Sequence, residues 1–330
     1  MPRKKITQTL LFFLMITVFS SGCAKQSPEP QLIPVTIALQ EWLGYGPFYL
    51  AQEKGFLKEE GIDLIFVDEQ ESARSDAFKQ GMLDFEGGSI DMLVSKTAQG
   101  APVVAVMEVD QSFGADAIVA AENIKKIEDL SGKKVALNRD NVGETFISIL
   151  FYKKGLSFDS VTIVPRLSEE IADAFLAGKA DACVTWEPQV SRALKRPGAH
   201  ILASTRDYPG VIIDTLNVRR DLLESNPALV KKVMRAWFKG LKYYKEHPLE
   251  ASEIISKYYK ITPEQYRKQV EGLKWDDYEE QKIHSEYKEW HEAFNTIVEV
   301  KLANGRISQK PDAAKCLNHT LLEKLYEDSK

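Results

Sequence analysis

The residues best placed to do chemistry sit in short polar breaks that follow apolar runs. Trp42 and Tyr45 fall in Glu41-Trp42-Leu43-Gly44-Tyr45-Gly46, directly after the apolar run Val35 to Leu39. Ser89 closes Gly87-Gly88-Ser89 after Leu83 to Phe85, and the polar turn Asn138 to Gly143 follows Val135 to Leu137. Aromatic rings offer flat apolar faces with a polar tip, and a helix that starts at such a break offers free backbone N–H groups and the positive end of its dipole. This is chemistry for holding a small polar molecule. The same residues have plainer uses: Trp42 and Tyr45 would also pack their own loop, and Ser89 would cap its own helix. Nothing is spaced for bond-making. The five histidines, His200, His247, His284, His291 and His319, lack metal-ligand spacing, and the chain has neither a phosphate-binding glycine loop nor a nucleophile elbow. The expectation is a protein that is not an enzyme, with no metal and no cofactor.

The elements that must hold these residues follow a strand–turn–helix rhythm. Pro47 stands at a first helical position, Gly55 where a helix stops, and Gly61 before a second strand, Asp63 to Val67; the unit is βαβ and implies a parallel sheet. In open parallel sheets ligands settle beyond the carboxyl ends of strands, which is where Trp42 and Tyr45 lie. Val135 to Leu137, the turn Asn138 to Gly143, and a helix from Glu144 through Tyr152 stopped by Gly155 repeat the pattern. Between the two units, Pro102 to Glu108 is apolar, Asp110 to Asp116 is polar and Ala117 to Ala120 is apolar again. This reads as a crossing from one lobe to another, with Val211 to Val218 as the return. From Asp221 the pattern is helical, led by a long helix from Asn226-Pro227 through Tyr244 with Val230, Val233, Met234, Trp237, Phe238 and Leu241 on one face. Further helices are expected around Tyr278 to Val300 and Leu317 to Tyr326.

Composition bounds the rest. At 330 residues, 44% hydrophobic and 28% charged, the chain is long enough for two lobes with their own cores. Arg3, Lys4 and Lys5 precede an uncharged apolar run from Ile6 to Phe19 and then Ser20-Ser21-Gly22-Cys23, which reads as an export signal over residues 1–22. The small residues before Cys23 resemble a bacterial lipobox, which implies lipidation of that cysteine, although Ser20 stands where Leu is usual. Residues 23–34, with Pro28, Pro30 and Pro34, read as a tether. Without the signal and its three basic residues, 40 basic face 48 acidic residues, a net charge of −8. Nucleic acid is excluded as a partner on that balance. Cys183 and Cys316 are too few for a disulfide framework.

Five stretches in order carry a resemblance: Trp42-Leu43-Gly44-Tyr45-Gly46-Pro47; Glu53-Lys54-Gly55-Phe56-Leu57-Lys58-Glu59-Glu60-Gly61; Gly114-Ala115-Asp116; Asp129-Leu130-Ser131-Gly132-Lys133-Lys134-Val135; and Ala177-Gly178-Lys179-Ala180-Asp181-Ala182 followed by Trp186-Glu187-Pro188. From about Val35 to Leu249 the chain resembles the solute-binding proteins of bacterial ABC importers for nitrate, sulfonates and taurine, a group that also contains hydroxymethylpyrimidine binders. The resemblance implies an α/β, two-lobed periplasmic binding protein of type II, a Venus flytrap with two hinge crossings. Its lobes would be residues 35–112 and 113–210, with residues 211–330 returning to the first lobe and adding C-terminal helices. It implies a monomer in the periplasm or on the outer face of the cytoplasmic membrane, held by the lipid anchor and passing a small solute to an ABC permease in the inner membrane.

Carried over position by position, the resemblance implies ligand-binding roles for Trp42, Tyr45 and Ser89 from the first lobe. From the second it implies Asn141, Gly143, Glu144 and Thr145 at a helix start, and Trp186 and Glu187; Asp116 and Asp214 flank the crossings. Glu144 departs from the pattern, because relatives that bind sulfonates are rich in Gly, Ser and Thr at that turn. With Asp91, Asp110, Asp116, Glu187 and Asp214 nearby in the fold, the crevice is expected to be acidic. The nitrate, sulfonate and taurine class is favoured by the resemblance, and a pyrimidine or other neutral or cationic nitrogenous solute is the alternative. A solute-sensing docking module without transport would have the same sequence features.

Overall fold

The computed structural model describes residues 31–68, 71–283 and 288–327. The export signal, Cys23 and most of the tether lie outside the described residues. Eleven strands are present among the described residues: β1 (Ile33–Leu39), β2 (Ile62–Phe66), β3 (Phe85–Ser89), β4 (Val103–Ser112), β5 (Asp116–Ala120), β6 (Lys134–Leu137), β7 (Thr162–Pro165), β8 (Ala182–Trp186), β9 (His200–Ser204), β10 (Ile213–Arg219) and β11 (Leu273–Lys274). They form a six-stranded sheet in the order β11-β4-β10-β3-β1-β2 and a five-stranded sheet in the order β7-β6-β8-β5-β9. In the first sheet β1 is parallel to β2 and β3, while β10 runs antiparallel to β3 and β4. In the second, β6 is parallel to β7 and β8, while β5 runs antiparallel to β8 and β9. This is the α/β fold of two lobes joined by two crossings, β4 to β5 and β9 to β10.

Each sheet has its own apolar filling. The long Pro227–Glu246 helix buries Val230, Val233, Met234, Trp237 and Leu241 against the first sheet. Gly240 on that helix is required by contact: a Cβ there would stand 2.2 Å from the Pro47 carbonyl oxygen, so the helix crosses the Gly46–Glu53 helix backbone to backbone. The second sheet is filled by Val135, Leu137, Phe146, Ile147, Leu150, Phe151 and Val184. The crossings are stitched to each other. Ser112 and Thr205 share a hydroxyl hydrogen bond of 2.8 Å, Gly114 N donates to Thr205 Oγ1 at 2.8 Å, and Thr205 N donates to the Asp116 carbonyl at 3.0 Å.

Three expectations need correction. Gly87-Gly88-Ser89 is the end of β3, not a turn before a helix. The glycines belong in a strand because a Cβ at Gly87 would come within 2.6 Å of the Tyr45 ring, which lies flat on that strand. The helix expected from Glu144 begins at Val142, capped by Asn141, whose side chain accepts from Val142 N at 2.6 Å. The helical stretch expected over Tyr278 to Val300 is present on either side of residues 284–287, as Tyr278–Ile283 and Lys288–Ala303. Of the helix expected over Leu317 to Tyr326 only the short Thr320–Glu323 turn forms, preceded by another short turn, Ala313–Cys316. β11, a two-residue strand that adds to β4, has no apolar pattern of its own and was not expected. Cys183 and Cys316 are both free and buried, in the filling of the second and the first sheet respectively.

Candidate functional site

A crevice forms where strand-end residues of the two sheets meet. From the first sheet come Gln40, Glu41 and Trp42 after β1, Ser89 at the end of β3, Met92 one turn into the Ile90–Ala98 helix, and Ile212 and Asp214 at the start of β10. From the second come Asp116 at the start of β5, Val142 at a helix start, and Trp186 at the end of β8. The space between these walls is about 20 Å³, room for about one water molecule. The lobes are shut.

The wall is acidic and its carboxylates are buried. Trp42 Nε1 donates to both oxygens of Asp110 at 3.0 Å, and the approach is so close that a Cβ on Gly44 would stand 1.8 Å from Asp110 Oδ2. Tyr45 lies behind the wall, fully buried, and its hydroxyl donates to Asp214 Oδ1 at 2.6 Å. Burial pushes the Asp116 carboxyl up to about 7 against the opposing hydrogen bond of Ser112, and the negative charge of Asp214 adds to the rise. Burial pushes Asp214 up to about 7 as well, with the Tyr45 hydroxyl pulling the other way. Asp110 is raised well above the usual carboxylate range by burial and then by Asp214, against the Trp42 hydrogen bond. Glu108, one turn of strand away, is raised to about 7 by burial. Near neutral pH this group shares a small number of protons, because adjacent buried carboxylates cannot all be ionised at low cost.

Of the residues expected at the site, the crevice brings together Trp42, Ser89, Asp116, Trp186 and Asp214, with Tyr45 directly behind Asp214. The others are elsewhere. Asn141 caps its helix and faces a separate polar cleft of about 640 Å³. Gly143 packs on β8, where a Cβ would sit 3.4 Å from the Val184 carbonyl. Thr145 donates to Asp91 of the Ile90–Ala98 helix. Glu187 accepts from Ser191 N at 3.1 Å and Ser191 Oγ at 2.8 Å, so it caps the short helix after it.

Glu144 neither borders the crevice nor points to solvent. It is buried, accepts from Arg139 at 2.9 Å and from Asp140 N at 2.7 Å, and pairs with Arg306. Burial raises its pKa while the Asp140 N–H and Arg139 hold it down. Gln40, Glu41, Met92, Val142 and Ile212 were missed. Gln40 and Glu41 directly follow β1, so the strand-end rule that picks Trp42 would have reached them. Arg306 lies 162 residues from Glu144 and carries no local signal.

A family model described as NMT1/THI5 like matches residues 42–251. A Bacillus subtilis (strain 168) protein, provisionally named as an aliphatic sulfonates-binding protein, is 27% identical over 270 residues, 75% of this chain and 77% of its own. The riboflavin-binding protein RibY of Chloroflexus aurantiacus is 25% identical over 275 residues, 77% of this chain and 78% of its own. Both are named as binding proteins. Among solved structures, the periplasmic aliphatic sulphonate binding protein SsuA from Escherichia coli superposes with a TM-score of 0.72 at 19% identity, over 88% of this chain and 92% of that one. The fold is therefore that of periplasmic binding proteins.

Proposed function

The chain belongs to the NMT1/THI5-like family, and from that premise we propose that it is the extracytoplasmic solute-binding receptor of an ABC importer. It closes on one small polar solute and hands it to a membrane permease. The observation that carries this reading is the composition of the crevice wall: strand-end residues of both sheets, Trp42 and Asp214 from one and Asp116 and Trp186 from the other, face a single space. A solute that touches both lobes favours the closed form through its greater affinity for it, and a permease can then tell loaded from empty by shape. Catalysis has no part in this reading. The names of the relatives support the sulfonate and taurine part of the nitrate, sulfonate and taurine class first, and the carboxylate wall favours a nitrogenous solute as the second reading. The lobes are residues 35–112 and 113–210, with residues 211–330 completing the first. The protein works as a monomer in the periplasm or on the outer face of the cytoplasmic membrane, anchored through Cys23.

The test is a thermal-shift panel of nitrate, taurine, alkanesulfonates, hydroxymethylpyrimidine and small amines against the purified protein. A true solute at about a hundred times its dissociation constant adds roughly 2.7 kcal/mol of stability, several degrees of melting temperature. A flat response across the whole panel would sink the receptor reading.

A further inference from the structure

We propose that the solute of this crevice carries a protonated nitrogen, as an ammonium, amidinium or guanidinium group, seated on the Asp116 carboxylate in the space walled by Trp42 and Trp186. The proposal deepens the receptor reading and rests on it. Every charged residue on the wall is a carboxylate: Glu41, Asp116 and Asp214. The two buried side-chain atoms on that wall without a hydrogen-bond partner, among the described residues, are Asp116 Oδ2 and Gln40 Oε1, both acceptors. Asp116 is 3% exposed. A buried acceptor left without a donor is costly, and an ionised one more so. A ligand that donates hydrogen bonds and brings positive charge relieves both.

An anion finds the opposite. The cations that line the neighbouring 640 Å³ cleft are all paired with carboxylates. Lys96 pairs with Glu86 at 3.0 Å, Lys301 with Asp91 at 2.8 Å, and Arg139 and Arg306 both pair with Glu144. Indole faces attract a cation and do nothing for a sulfonate or nitrate. Within the solute class that the relatives' names support, the proposal selects molecules with an amino group over nitrate and plain alkanesulfonates.

The groups that face Asp116 fix the sign of its pH response. They are Asp214 from β10, Asp110 and the Ser112 hydroxyl from β4, and Glu41 from the loop after β1; Tyr45 stands behind Asp214, and no cationic side chain borders the crevice among the described residues. Asp116 and Asp214 hold protons up to about 7. A cation that binds the ionised form expels a proton, so its affinity rises from pH 6 to pH 8. An anion needs the protonated form, so its affinity falls over the same interval.

The experiment titrates the purified protein by calorimetry with three probes that share a two-carbon frame: ethanolamine with only the ammonium head, ethanesulfonate with only the anionic head, and taurine with both. Benzamidine and nitrate extend the two series. The expected result is binding by taurine, ethanolamine or benzamidine that strengthens from pH 6 to pH 8 with proton release, and that Asp116→Asn weakens by roughly 10- to 100-fold. The pH arm uses the unaltered protein and does not depend on the variant folding. Binding by ethanesulfonate or nitrate that weakens toward pH 8 overturns the proposal and leaves the receptor reading standing. Cation binding indifferent to Asp116→Asn overturns it too, and silence from every probe overturns both.

Discussion

Asp116 and Asp214 keep their protons up to about 7, well above the ordinary carboxylate range near 3.8, because burial penalises the charge on both and the charge of Asp214 adds to the rise at Asp116. The folded protein then binds more protons than the unfolded chain between about pH 4 and 7, so stability contributed by these groups is present at low pH and is lost as pH rises through 7. Melting temperature should be higher at pH 5.5 than at pH 8, and Asp116→Asn should shrink that difference by raising stability at pH 8, by on the order of 1–4 kcal/mol. Chemical denaturation at the two pH values measures it; equal stability at both would sink the assignment of buried acid pairs. Tyr45→Phe should behave oppositely. It removes the 2.6 Å donor to Asp214, costing about 1–3 kcal/mol at pH 8, where the acceptor is charged, and less at pH 5.5. Trp42, Ser89, Asp116, Trp186 and Asp214 were legible because each stands at a strand end or crossing. The pairing of Glu144 with Arg306 was not legible, because Arg306 comes from a distant helix end and pairing at that range leaves no trace in local pattern.

At the scale of elements, the Lys288–Ala303 helix packs against two helices of opposite lobes, Ile90–Ala98 and Val142–Lys153. Polar ties run beside it. Lys301 pairs with Asp91 at 2.8 Å, Thr145 donates to the same Asp91, and Arg306 just beyond the helix pairs with Glu144. These contacts hold the lobes together independently of the crevice. Arg306→Ala should cost about 1–3 kcal/mol and shift the solute-free protein toward an open form with a larger radius of gyration in solution scattering. An unchanged scattering profile would mean that the helix follows one lobe only. Most elements were readable because strand and helix periods differ and glycines marked the stops. The exceptions were set by contact at a distance: β3 continues through two glycines because the Tyr45 ring needs the room, and β11 exists only because β4 offers an edge.

At the scale of the molecule, two sheets are joined by two crossings that hydrogen-bond to each other through Ser112, Gly114 and Thr205. The fold class and both crossings followed from the alternation of apolar runs, turns and helices, since a chain that leaves a sheet and returns to it must cross twice. How far the lobes stand apart did not follow, because side-chain ties across the lobes decide it. The walls around Trp42 and Trp186 leave about 20 Å³, room for about one water molecule. A receptor whose walls stand this close without solute would be a gated trap, its capture rate limited by its own opening. Mixed rapidly with rising solute, the tryptophan signal should relax at a rate that climbs and then levels off at the opening rate, where a receptor resting open would show a straight line. Arg306→Ala should lift that plateau, and the cell would meet a receptor whose uptake saturates in time before it saturates in occupancy.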